Sequence, residues 1–169
     1  MNTKVLHKIS YGMYIVSSEM DGKFNGQVAN TVIQISSEPA TIAVSINKQN
    51  LTHEYISNSK KFSISILSEE TPMTFFGTFG FKSGRDIDKF KEINYKIGQT
   101  GIPIVLDYSI GYIETELINK IDVETHTIFI GKIIDAEVTG EENPMTYDFY
   151  HKVRKGLAPK AAPTYIKPV

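Results

Sequence analysis

A period of two runs through most of this chain, and a chain that alternates in this way buries one face of a sheet rather than one stripe of a helix. Residues 41–46 set Ile42, Val44 and Ile46 against small or polar neighbours, and residues 62–67 repeat the pattern with Phe62, Ile64 and Ile66 against serines. Both segments are expected as half-buried strands. Residues 13–18 lead to Asp21-Gly22, a hairpin signal, and residues 25–37 follow as one long extended segment that ends before Pro39. Residues 109–117 and 126–138 are the longest strand candidates. In the second, Ile128, Ile130, Ile134, Ala136 and Val138 form the expected core face, interrupted by Lys132.

Helical signals are few. Residues 51–60 place Leu51, Tyr55 and Ile56 at helical spacing after Asn50, a candidate N-cap, and residues 71–81 open on Thr71-Pro72 and carry Phe75, Phe76 and Phe79. A third short helix is expected from Met145 to about Lys155. Residues 157–169 hold three of the seven prolines and read as an extended C-terminal arm. Many strands, few helices and no strand–helix alternation predict a mainly β fold, an antiparallel barrel or sandwich.

The 169 residues are expected to form one domain, 1–169, since a chain of this length removes roughly 70% of its unfolded surface from water. With no cysteine, disulfides, thiolate metal sites and thiol nucleophiles are excluded. Eighteen Lys+Arg against nineteen Asp+Glu leave a net charge of −1, which argues against nucleic acid as a partner. No apolar run approaches a membrane span, and residues 1–10 lack a signal-peptide core, so a cytoplasmic protein is expected, with no membrane contact.

Catalytic motifs are absent. The four histidines have no metal-ligand spacing: His53-Glu54 begins like a zinc-protease motif, but Ser57 stands where the second histidine belongs. His126, at the head of an apolar strand, reads either as a structural residue or as a functional one. The segment from Gly77 to Arg85 fits neither the dinucleotide fingerprint nor the P-loop. With Lys82, Arg85 and Lys89 it has the groups to hold a phosphate, and it reads equally as a solvated loop. Residues 25–37 are rich in side-chain donors and acceptors, which suits the polar rim of a cofactor or an exposed strand face.

Several ordered pieces carry a resemblance. They are Phe24-Asn25-Gly26-Gln27-Val28-Ala29-Asn30-Thr31 leading to Ser36-Ser37-Glu38-Pro39, then Ser45-Ile46-Asn47-Lys48 with Leu51-Thr52. Phe76-Gly77, Ser83-Gly84-Arg85-Asp86 and Asp88-Lys89-Phe90 come next, and last Thr125-His126-Thr127-Ile128-Phe129-Ile130-Gly131-Lys132-Ile133. In order and spacing they resemble the flavin reductase-like family of FMN-binding split barrels, which includes flavoredoxins and the flavin reductase domains joined to rubredoxin. Two positions depart from it. The family often has Asp where this chain has Thr125, and an aromatic or serine-rich segment in place of Ile33-Gln34-Ile35.

The resemblance implies an antiparallel Greek-key split β-barrel with a few short helices, a homodimer, and FMN as cofactor with NADH or NADPH as electron donor. Asn30 and Thr31 would meet the isoalloxazine edge, and Ser45, Asn47 and Thr52 the ribityl chain or phosphate. Lys89 and Arg85 would neutralise the phosphate, Tyr165 would cover the flavin, and His126, beside the ring, is the one residue given a catalytic role. The implied activity passes electrons from NAD(P)H through the flavin to a flavin, iron or protein acceptor. Two other readings keep the fold: an FMN electron carrier reduced by another protein, and a non-catalytic split-barrel binding module. Without cysteine the chain holds no iron centre of the rubredoxin type, so a rubredoxin or flavoprotein acceptor would be a separate partner.

Overall fold

The structure, a computed structural model, describes residues 3–165. Strands β1 (Tyr14–Met20) and β2 (Lys23–Ala29) form the expected hairpin, with φ of 53° at Asp21 and 76° at Gly22, both positive as a tight two-residue turn of this hand requires. Then come β3 (Val32–Ser37), β4 (Ala40–Asn47), α1 (Leu51–Ser59), β5 (Lys61–Leu67) and α2 (Met73–Phe76), which runs into a π-helical turn at Gly77–Phe81. The short β6 (Tyr95–Ile97) and β7 (Pro103–Val105), the long β8 (Ser109–Val123) and β9 (His126–Val138), and α3 (Tyr147–Lys152) complete the order.

Seven strands form one sheet in the order β2-β1-β5-β8-β9-β4-β3, every pair antiparallel, and β6-β7 is a separate hairpin. β2 and β3 follow one another in sequence yet lie at opposite edges. Laid flat, those edges would be roughly 29 Å apart at about 4.8 Å per strand spacing. The link through Asn30-Thr31 spans at most roughly 11 Å. The sheet therefore curls until its edges meet at this link without pairing, which is a split barrel.

Residues 25–37 are thus two strands, not the single extended segment expected. β8 also runs six residues beyond the expected end at Leu117. Ile42, Val44 and Ile46 point inward as expected and pack with Val16, Phe62, Ile64 and Phe129. A second cluster joins Ile15, Leu67, Phe76, Phe79 and Tyr150 outside the barrel. β5 is buried on both faces rather than one, because β7 covers its serines: Ser63 Oγ donates to Pro103 O at 2.6 Å.

The first half of β9 turns the face opposite to expectation, with Ile128 and Ile130 outward, and a register shift at Glu114/Thr115 then brings Ala136 back opposite Ile113 on the barrel side. Thr127, Phe129 and Gly131 point inward, whereas Ile134 and Val138 are exposed. Phe129 fills the barrel, and Gly131 lets Thr115 and Phe62 close over the strand, since a Cβ there would stand 2.8 Å and 2.9 Å from them. Asn50 occupies the N-cap position of α1 without capping it: its Nδ2 donates to Gln27 Oε1 at 3.0 Å. No helix among the described residues is long and apolar enough to cross a membrane.

Candidate functional site

A cavity of about 420 Å³ opens where β2, the end of β4, the start of α1, the segment 76–89, α3 and the C-terminal arm converge. Its size lies within the range of small-molecule sites. Four cations, Lys82, Arg85, Lys89 and Lys160, are among its lining residues, and none of the described lining residues is Asp or Glu. In a chain of net charge −1 this separation of charge suits an anionic ligand.

Lys89 is the deepest of these cations, only 6% exposed. Its Nζ donates to Gly26 O at 2.9 Å and Phe79 O at 3.3 Å, and among the described residues it has no carboxylate partner. Burial lowers its pKa from 10.5 to about 8. Beside it, Asn25 Nδ2 donates to Thr52 Oγ1 at 2.8 Å in the first turn of α1, and Asn25 Oδ1 is buried with no partner among the described residues. Gly84 crosses so close that a Cβ there would overlap Asn25 Oδ1. Arg85, at the rim, pairs with Glu54 at 3.3 Å across exposed surface.

Six of the expected residues, Asn30, Ser45, Asn47, Thr52, Arg85 and Lys89, line this one cavity; Thr31, His126 and Tyr165 do not. Thr31 Oγ1 donates to Asn30 Oδ1 at 3.0 Å, and its carbonyl accepts from Ser45 N at 3.1 Å, so it stands one residue behind the wall. His126 pairs with Asn47 across β4 and β9. Its Nε2 faces Ala161 O at 3.3 Å and its Nδ1 faces Thr125 Oγ1 at 2.8 Å. A carbonyl only accepts, so Nε2 carries the proton. Tyr165 N donates to Ala162 O at 3.0 Å, closing a turn at the end of the arm.

Sequence reasoning passed over Tyr147, Tyr150 and residues 157–163, all of which line the cavity. Tyr147 OH lies 2.7 Å from Thr164 Oγ1, and Tyr150 OH donates to Leu157 O at 3.0 Å. Burial pushes both phenols above the ordinary tyrosine value, so they stay protonated at neutral pH. The paired tyrosines on a short helix just before a proline-bearing tail were the available signal. The described lining offers cations, side-chain amides and hydroxyls, groups that can bind and orient a ligand.

Residues 6–156 match the model of the flavin reductase like domain. The chain is 53% identical over 165 residues to a high molecular weight rubredoxin of Moorella thermoacetica, covering 98% of this chain and 72% of that protein. It is 44% identical over 167 residues to a ferric-chelate reductase (NAD(P)H) of Archaeoglobus fulgidus, covering 99% of both. The crystal structure of a flavoredoxin from Methanosarcina acetivorans shares the fold, with a TM-score of 0.71 and 22% identity, over 79% of this chain and 70% of that one.

Proposed function

The chain belongs to the flavin reductase like domain family, and we propose that its cavity binds FMN, accepts electrons from NADH or NADPH, and passes them to a flavin, iron or protein acceptor. The observation that carries this reading is the buried, uncompensated ammonium of Lys89 at the inner end of a cavity without carboxylates. A buried cation is costly alone and is stabilised by a phosphate placed against it. The orphaned Asn25 Oδ1 beside Thr52 fits a ribityl hydroxyl, which would donate to it. A phosphate monoester that ends at Lys89 favours FMN over FAD, whose diphosphate continues into an adenosine.

When bound, the flavin supplies the ring that accepts hydride and relays electrons. The protein's part is to bind and orient. Lys89, with Arg85 at the rim, would hold the phosphate, and Thr52 would add the N-terminal turn of α1, which favours anions. Asn30 would hydrogen-bond the ring edge, backed by Thr31. Ser45 would meet the ribityl chain, and Asn47 and His126, the latter carrying its proton on Nε2, would donate towards the ring. Tyr147 and Tyr150 exclude water from the α3 side.

We also propose a homodimer. On the outer face of the sheet Ile33, Ile118, Ile121 and Val123 are exposed, and Ile121 stands opposite Ile128. Ala43 shares this face with Ser45 and Asn47, so the apolar surface runs directly into the cavity wall. A second copy seated there would bury an unusual patch and close the cavity from the side.

Titration of the purified chain with FMN and with FAD, followed by quenching of flavin fluorescence, tests the binding: saturable quenching by FMN is expected, and none would overturn it. Stopped-flow mixing of the FMN-loaded chain with NADH or NADPH then tests the reaction, with rapid bleaching expected. The likeness to a protein named as a rubredoxin supports a second reading, an electron carrier. Bleaching only after addition of a separate reductase would favour it.

A further inference from the structure

We infer that Asn47 and His126 form a two-donor seat for a carbonyl oxygen of a bound ligand, and that the C-terminal arm fills this seat with the Ala161 carbonyl until the ligand displaces it. The inference rests on the flavin reading above. Asn47 Nδ2 and His126 Nε2 converge on Ala161 O at 3.4 Å and 3.3 Å. The two side chains are set side by side by the register of β4 and β9. Neither is free to turn away: Asn47 Oδ1 accepts from Gln49 N at 3.0 Å, which points its amide group at the arm, and Thr125 holds Nδ1 of His126.

The occupant is held weakly. Both bonds to Ala161 are at the long end of hydrogen bonding. None of residues 157–165 is buried, and the arm is fastened mainly through Thr164, which accepts from Asn30 Nδ2 at 2.8 Å and lies 2.7 Å from Tyr147 OH. A half-exposed segment with few buried contacts opens at low free-energy cost. Asn30, Asn47 and His126 thus direct side-chain donors at the arm, although the proposed site needs the same groups for its ligand. Arm and ligand are therefore competitors, and the apparent affinity is lowered by the fraction of molecules with the arm seated.

The chemistry the seat recognises is an acceptor oxygen on a flat conjugated ring. A ring carbonyl of the flavin and the carboxamide oxygen of a nicotinamide both present it. Thr164→Val in the full chain removes the fastening hydroxyl while leaving Asn47 and His126 untouched. The variant is expected to bind the seated ligand about three- to tenfold more tightly, the equivalent of one neutral hydrogen bond.

Hydrogen–deuterium exchange of the peptide spanning residues 157–169 gives the second readout, in the natural protein with FMN alone and with NADH alone. Faster exchange with FMN assigns the seat to the flavin, and faster exchange only with NADH assigns it to the nicotinamide. Saturable FMN binding together with slowed or unchanged exchange for both ligands, or with no gain in affinity in Thr164→Val, would overturn the seat alone. A natural protein that binds neither ligand overturns the flavin reading and the seat together.

Discussion

The ammonium of Lys89 donates to the carbonyl of Gly26 at 2.9 Å, on the strand that also carries Asn25 and Gln27 into the cavity. The lysine is thereby anchored at the wall with its charge unneutralised. Lys89→Met keeps the length of the side chain and removes the charge. The variant should bind FMN about 1.5–3 kcal/mol more weakly, the range for a hydrogen bond to a charged group. Its own stability should stay within about 2 kcal/mol of the natural protein's, because the lost bonds to Gly26 and Phe79 are offset by relief from burying a cation. Isothermal titration and thermal melts measure the two effects; unchanged FMN affinity would remove Lys89 from the site.

The depressed pKa of Lys89, about 8 against 10.5, makes two pH dependences. Between those values the folded ligand-free protein has released a proton that the unfolded chain still holds. Its stability from this group therefore rises with pH across that window and gains nothing below it. FMN affinity runs the other way, because the phosphate needs the ammonium. Binding at pH 9.5 should be about thirtyfold weaker than at pH 7, the linkage expected when a group of pKa about 8 must take up a proton. Lys89→Met should show a flat profile over the same range, and a slope equal to that of the natural protein would refute the assignment.

Glu114 supports the fold at a distance from the cavity. Its fully buried carboxylate accepts from Gln99 N at 3.0 Å, from Thr100 N at 2.6 Å and from the Thr100 hydroxyl, and so fixes the turn between β6 and β7 that covers β5. Glu114→Gln presents an amide donor to one of these donors. A loss of about 2–3 kcal/mol is expected, read as a fall of roughly 4–12 °C in Tm. FMN affinity should not change, and a variant that loses FMN while keeping its Tm would contradict this division of labour.

Much of the barrel was legible because its signals are local. Asp21-Gly22 makes the first hairpin, and Ile42, Val44 and Ile46 alternate into the core. The first half of β9 misled for a physical reason: Ile128 and Ile130 on the outer side look more like a core than Thr127, Phe129 and Gly131 within, and a face that suits a second copy has the same pattern as a core. β6 and β7, three residues each, are too short to show a period. Within the site, the family resemblance implied Asn30, Ser45, Asn47, Thr52, Arg85 and Lys89, which line one cavity. The arm did not announce itself, since the contact of Asn30 with Thr164 spans 134 positions and nothing local encodes it.

The apolar outer face gives the last expectation. Ile121 is 49% exposed, opposite Ile128, on the same surface as Ala43, Ser45 and Asn47. If this surface is where two copies meet, the natural chain should show the mass of two chains by light scattering coupled to size-exclusion chromatography. Ile121→Glu sets a charge in the middle of the contact in both copies at once, where it is desolvated without a partner. The variant should elute with the mass of one chain and fold as before by circular dichroism. Because the same face borders the cavity, the monomer should also hold FMN more weakly, by about tenfold if the second copy excludes water from one side of the ligand. A variant that remains dimeric would place the interface elsewhere, and a natural chain that is monomeric at micromolar concentration would remove it and leave the cavity to be closed by its own arm.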